Sequence, residues 1–258
     1  MERAALLERL TRGRPAIVWR TATVREVVPE TEQAKTILLD VPGWPGHLAG
    51  QHVDVRLTAE DGYQAERSYS IASAPESAGL ALTVVAFDDG EVSPYLVDEL
   101  RPGDEFEIRG PVGGYFTWRV QDGGHLLLVA GGSGLVPLMA MLRHHAAQAS
   151  TVPARLLVSA RRWDDVLYRE ELATTVSTEH PSVAVSYTLT RDQPADWHGF
   201  ARRVDAEMLA AVGPAPAERP RIFVCGPTAF VESVADRLVE LGHPPTAIRA
   251  ERFGPTGE

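Results

Sequence analysis

Cysteine is almost missing from this 258-residue chain, with Cys225 the only one. One thiol excludes a disulfide within the chain, a cysteine-built zinc site and a self-contained cysteine-ligated iron–sulfur cluster. Lysine is equally scarce, since Lys35 is the only lysine among 25 basic residues. Arginine therefore dominates by composition, and a given arginine carries less functional information than usual. Positive charge is also short overall: 35 acidic residues give a net charge of −10, which argues against a nucleic-acid surface or an anionic membrane face. Long apolar runs are lacking. The most apolar stretch, residues 126–142, is broken by three glycines and a proline, too short and interrupted for a membrane span. The first eleven residues contain acids and no apolar core, so no secretory signal is expected and the cytoplasm is the default location. The histidines show no metal-ligand spacing, and no metal site is expected. His144-His145 is expected on the surface of a helix, His52 in a strand, and His47, His180, His198 and His243 near turns.

What is present divides the chain near residue 120. Residues 1–14 read as a charged N-terminal helix or arm. Short runs rich in Val, Ile, Leu and Thr follow at 17–28, 34–41, 52–57, 67–72, 80–87 and 105–109, punctuated by Pro, Gly and Asp clusters such as Pro42-Gly43-Trp44-Pro45-Gly46 and Arg101-Pro102-Gly103-Asp104. Many short strands at regular spacing predict an antiparallel β-barrel, interrupted by a helix over 93–100 with Ser93 as its N-cap. Beyond Gln121-Asp122-Gly123-Gly124, strand-like and helical runs alternate: 126–130 with 136–148, 155–159 with 165–174, 183–189 with 204–212, and 221–225 with 228–241. That alternation predicts an α/β domain with a parallel sheet. The expected domains are thus 1–120, a barrel with an N-terminal arm, and 121–258, an α/β unit with a C-terminal segment.

Three short motifs carry the chemistry. Arg67-Ser68-Tyr69-Ser70 closes a strand-like run. Its arginine suits a pyrophosphate, its tyrosine offers a ring to a flat heterocycle, and its serine offers a hydroxyl to a ring nitrogen. Gly131-Gly132-Ser133-Gly134-Leu135-Val136-Pro137 joins a strand to a helix; glycines let backbone approach a pyrophosphate, and a helix start favours its charge. Cys225-Gly226-Pro227 ends the last strand before the final helix.

In this order, the three motifs resemble the flavin- and nicotinamide-binding signatures of the plant-type ferredoxin–NADP reductase family. The resemblance implies an FAD-binding barrel (a minority of the family binds FMN) followed by an NAD(P)-binding domain. It implies Tyr69 against the flavin ring, Ser70 near flavin N5 and Arg67 on the phosphates. Gly90-Glu91-Val92-Ser93 resembles the family's phosphate turn, and Val84 and Val85 would give backbone contacts to the ring edge. Gly131, Gly132, Ser133, Gly134 and Pro137 resemble the family's own dinucleotide turn. Cys225, followed by Gly226 and Pro227, would lie near nicotinamide C4 in a positional role. Phe253 would cover the second face of the flavin, with Glu251 near N5. Thr190-Arg191, Ser159 and Arg161-Arg162 follow neighbouring strands where relatives grip a 2′-phosphate, which puts NADPH slightly ahead of NADH.

The implied activity is electron transfer from NAD(P)H through FAD to a separate acceptor, a ferredoxin or an oxygenase component. The alternatives are a reductase of a small acceptor such as free flavin or a quinone, and a non-catalytic FAD-binding subunit or sensor. Arg9, Arg12, Arg14, Arg20 and Arg25 are expected to help dock an acidic acceptor.

Overall fold

The computed structural model describes residues 17–86, 90–175 and 182–254. Six antiparallel strands come first: β1 (Trp19–Thr31), β2 (Ala34–Asp40), β3 (His52–Thr58), β4 (Gln64–Ser70), β5 (Leu80–Val85) and β6 (Glu105–Val112). They hydrogen-bond in the order β4-β3-β6-β1-β2-β5. Ile71, one residue past β4, bridges to Leu82 of β5, so the two sheet edges meet and the sheet closes into a barrel. Closure removes the unpaired edges that an open sheet would leave. In β3, Val53 and Val55 are buried and alternate with more exposed residues, the period-2 pattern of a sheet with one face inward. These valines join Ile37, Leu39, Leu82 and Ile108 in the barrel core. The helical segment between β5 and β6 is short, Tyr95–Glu99, and seals the core with Leu96 and Val97.

The second half is a five-stranded parallel sheet: β7 (Leu126–Gly131), β8 (Ala154–Arg162), β9 (Val183–Asp192), β10 (Arg221–Pro227) and β11 (Ile248–Phe253), in the order β11-β10-β7-β8-β9. Its main helices are α1 (Leu135–Ala147), α2 (Arg169–Thr174), α3 (Ala206–Val212) and α4 (Thr228–Glu240). All six residues of β7 are buried, as expected for a central strand covered on both faces. Leu126, Leu128 and Ala130 face α1, while Leu127 and Val129 face α3 and α4.

The core on the α1 side continues into the first half: Ala49, Ala72, Ala81, Phe116 and Trp118 belong to it. α1 is therefore enclosed by the parallel sheet on one side and barrel residues on the other. This placement corrects the expectation for His144-His145. Both are buried; His144 lies 2.8 Å from Glu76 and His145 Nε2 lies 2.8 Å from the Val152 carbonyl. Polar side chains buried on a helix need partners inside.

Candidate functional site

β7 and β10 are neighbours, yet the helices that follow them, α1 and α4, leave to opposite faces of the sheet. A crevice forms at the carboxyl ends of such strands, at the point where the winding reverses. Two of the three motifs lie at this point. The backbones there leave no room for side chains. A Cβ on Gly134 would lie 2.1 Å from the Cys225 carbonyl oxygen, and one on Gly226 would lie 3.1 Å from Gly131 Cα. Gly132 differs, with a left-handed φ of 55° and open space beyond it. Peptide N–H groups at such a turn can approach an anion closely. Pro137 sits in the first turn of α1, where its missing N–H is no loss.

β11 extends the site. It pairs in parallel with β10 so that Cys225 matches Glu251 and Pro227 matches Phe253. Burial pushes the Glu251 carboxyl up to about 7. Burial also raises the Cys225 thiol well above its ordinary value, helped by the neighbouring Glu251 charge. Such a thiol is a poor nucleophile, consistent with a positional role. Phe253 is half-buried against the α1-side core.

The barrel contributes the end of β4. Ser70 is opposite His52 in the β3–β4 ladder, and paired residues share a face. His52 Nδ1 is 4.0 Å from Glu251 Oε1, too far for a hydrogen bond. Burial, partly offset by the Asp54 charge, lowers the His52 pKa and so favours the neutral ring. Ser70, His52, Glu251 and Cys225 thus form one cluster drawn from both halves. The sequence placed His52 only in a strand, and no local signal marked it as part of a site.

Arg67 and Tyr69 project to the other face of β4. Tyr69 is half-buried, and burial, partly offset by the Arg67 charge, pushes its hydroxyl up to about 12. The Arg67 guanidinium is over half exposed, 3.8 Å from Glu91 in the Gly90–Ser93 turn. Within that turn Val92 and Ser93 are buried. The Ser68 hydroxyl instead donates to Asp54 at 2.7 Å, and Arg109 also binds Asp54. Val84 and Val85 lie in β5 opposite Lys35 and Ala34. An exposed guanidinium beside a turn, a half-buried phenol and uncharged valines fit a flat heterocycle carrying phosphates.

Farther along the sheet, Gly131 is in register with Ser159 of β8. Arg161, Arg162, Thr190 and Arg191 are at the ends of β8 and β9. Arg162 is held by Asp192 at 2.9 Å, and the Thr190 hydroxyl donates to the Ala160 carbonyl at 3.3 Å. The structure therefore places the second-half candidates at the carboxyl ends of the parallel strands, and brings Ser70 and His52 of the barrel up to Glu251 there. Among the arginines expected to dock an acceptor, Arg20 donates to the carbonyls of Gly43, Val18 and Gly110, and Arg25 lies 3.5 Å from Asp40. Arg9, Arg12 and Arg14 lie outside the described residues. Among the described residues, no group of three His, Cys, Asp or Glu side chains could hold a metal ion, and no helix is long and apolar enough to cross a membrane.

Comparison with known proteins finds two family matches in this chain. Residues 30–117 match the family described as oxidoreductase FAD-binding domain, and residues 128–236 match the oxidoreductase NAD-binding domain. The glycine betaine monooxygenase reductase subunit of Pseudomonas aeruginosa is 30% identical over 235 residues, which are 90% of this chain and 63% of that protein. The chain thus spans less than two thirds of that relative. NADH-cytochrome b5 reductase 1 of Aspergillus terreus is 30% identical over 212 residues, 79% of this chain and 69% of the relative. The crystal structure of the Amycolatopsis cytochrome P450 reductase GcoB superposes with a TM-score of 0.80 at 27% identity, covering 95% of this chain and 73% of that one.

Proposed function

The chain belongs to the ferredoxin–NADP reductase family, with an FAD-binding and an NAD-binding domain, and from that premise we propose that it is an NAD(P)H-dependent flavoprotein reductase serving a separate electron acceptor. The observation that carries the reading is the Ser70–His52–Glu251–Cys225 cluster, in which barrel and parallel sheet meet at the switch point of the sheet. A flavin bound there would supply hydride acceptance and single-electron release, and the residues of the cleft would hold it for that purpose.

The chain's own residues position and shield. The glycine turn at Gly131–Gly134 takes the dinucleotide phosphates on backbone N–H groups and the start of α1. Gly226 would let the nicotinamide approach, with buried Cys225 beside it in a positional role. Arg67 and the Gly90–Ser93 turn would take the flavin phosphates, Tyr69 would lie against the ring, and Val84 and Val85 would give its edge backbone contacts. Ser70 would offer its hydroxyl near N5. Phe253 would cover the remaining ring face and exclude water. Glu251 sits near neutrality and can hold or release a proton beside Ser70 and His52. Ser159, Arg161, Arg162, Thr190 and Arg191 surround the adenosine end. The domain division we favour falls near residue 120, between β6 and β7.

A ferredoxin or an oxygenase component is the acceptor we favour, because the relative of 30% identity is named as a reductase subunit of a monooxygenase, and one cysteine cannot build a cluster within this chain. The test is to reconstitute the protein with FAD and follow NAD(P)H oxidation with ferricyanide, a plant-type ferredoxin and free flavin in parallel. Turnover with ferredoxin well above that with free flavin supports the reading. Turnover confined to free flavin contradicts the acceptor, and none with any of the three contradicts the enzyme.

A further inference from the structure

We propose that Asp192 is a specificity-determining residue: it holds Arg162 in an ion pair at the adenosine end of the dinucleotide site and so disfavours a 2′-phosphate. The proposal rests on the dinucleotide-binding reading given above. In a doubly wound sheet the phosphates lie at the turn after the first strand, and the adenosine extends over the ends of the strands beside it. There an acid accepts a hydrogen bond from the 2′-hydroxyl, or an arginine takes a 2′-phosphate. In this chain those strands are β8 and β9.

β8 ends in Arg161-Arg162 and has no acid at that place. The acid comes from the neighbouring strand: Asp192 is the register partner of Arg162, just beyond an irregularity in the β8–β9 ladder. Arg162 Nε lies 2.9 Å from Asp192 Oδ2, with the side chains 59% and 72% exposed. The Arg162 backbone N–H donates to Asp165 at 3.1 Å. The main chain is therefore fixed by one acid while the guanidinium is aimed by another. Arg161 and Arg191 are exposed and have no ion pair among the described residues. Within β8 and β9 the strand ends thus carry three arginines and one acid, Asp192, which occupies one of the three; just past β8, Asp164 is paired with Arg169 and Asp165 accepts the Arg162 backbone N–H.

The two nucleotides meet this arrangement differently. A 2′-hydroxyl can donate to the Asp192 carboxylate and leave the ion pair in place. A 2′-phosphate dianion finds Arg162 already neutralised and is repelled by the same carboxylate. Asp192 thereby offsets a preference for NADPH that the arginines alone would confer.

The flavin-loaded protein can be titrated calorimetrically with adenosine 2′,5′-bisphosphate and with 5′-AMP, which isolates the adenosine end from the redox chemistry. Asp192→Asn is expected to raise the preference for the bisphosphate by about tenfold. Adding Arg162→Gln to that variant is expected to abolish the gain, as a double-mutant cycle requires for a shared contact. The kcat/KM ratio for NADPH over NADH should move the same way. A change in preference below about twofold in Asp192→Asn, or a gain that survives Arg162→Gln, overturns the proposal. If both mononucleotides bind and their ratio stays put, only this inference falls. If neither binds, the dinucleotide reading of this edge falls with it.

Discussion

The phenol of Tyr168, at the start of α2, donates a hydrogen bond to the hydroxyl of Thr83 in β5 and so ties the two halves together. Thr83 bonds Thr36 at 2.7 Å, Thr36 donates to Glu30 at 2.6 Å, and the same carboxylate accepts the Tyr168 N–H at 3.3 Å. Arg143 of α1 lies over the Tyr168 ring, binds both oxygens of Glu171 and donates to the Ala72 carbonyl at 2.7 Å. Thr83 precedes Val84, and Ala72 lies two residues past Ser70. The network thus fixes the helix after the glycine turn against the strand ends proposed to hold the flavin.

Tyr168→Phe removes one hydroxyl from this buried network. We expect a loss of about 1 kcal/mol in unfolding free energy, measured by denaturant titration. The rate of flavin reduction should fall more than the affinity for NAD(P)+, because the bond sets the relation between two sites and touches neither ligand. Equal effects on both would contradict this positioning role.

Two neighbouring glycines should respond very differently to alanine. Gly134→Ala drives a Cβ to 2.1 Å from the Cys225 carbonyl, and backbone cannot yield as a side-chain tip can. It should cost more than about 3 kcal/mol or prevent folding. Gly132→Ala meets open space and suffers only its left-handed φ, about 1–2 kcal/mol. Thermal denaturation of the pair checks the contrast, and similar melting temperatures would contradict it.

The Arg67 guanidinium is over half exposed, so Arg67→Ala should leave the stability of the flavin-free protein within about 0.5 kcal/mol. Its flavin affinity should fall about 10- to 100-fold, the worth of a charge-assisted bond. Fluorescence titration with FAD measures this. Unchanged affinity would remove Arg67 from the site.

Glu251 gives a pH signature. Its carboxyl is raised from 4.5 to about 7 by burial, so between those values the folded state binds more protons than the unfolded state. Its contribution to stability therefore declines as pH rises from about 4.5 to 7 and is at its most unfavourable above 7. In flavin-free protein, Glu251→Gln should gain stability over wild type across that window, approaching about 3 kcal/mol at pH 8. A difference independent of pH would contradict the shift.

Both halves of the fold were legible because each has a strong periodic signal: alternation in β3, and continuous apolar runs followed by helices from β7 onward. Element ends were less legible. β4 begins at Gln64, ahead of the expected 67, because its first residues are polar and exposed and only pairing with β3 makes them a strand. β11 runs to Phe253 because Glu251–Phe253 find partners in Cys225–Pro227, a parallel pairing that no local pattern announces. The motifs at Arg67–Ser70, Gly131–Gly134 and Cys225–Pro227 were visible as short local patterns, and at Gly134 and Gly226 close backbone approach restricts the residue type. The Tyr168 network was not, since its partners are 85 and 138 residues away in the chain. His144 and His145 look like surface residues until α1 is seen enclosed on both sides.

One cleft is proposed to bring a dihydropyridine and a flavin together. Rapid anaerobic mixing of the FAD-reconstituted protein with NADPH, and separately with NADH, checks this without any acceptor. The oxidised flavin's visible absorbance should be lost in a single fast phase, stoichiometric with added nucleotide, for at least one of the two. Flavin that binds tightly but keeps its colour with both nucleotides would contradict it.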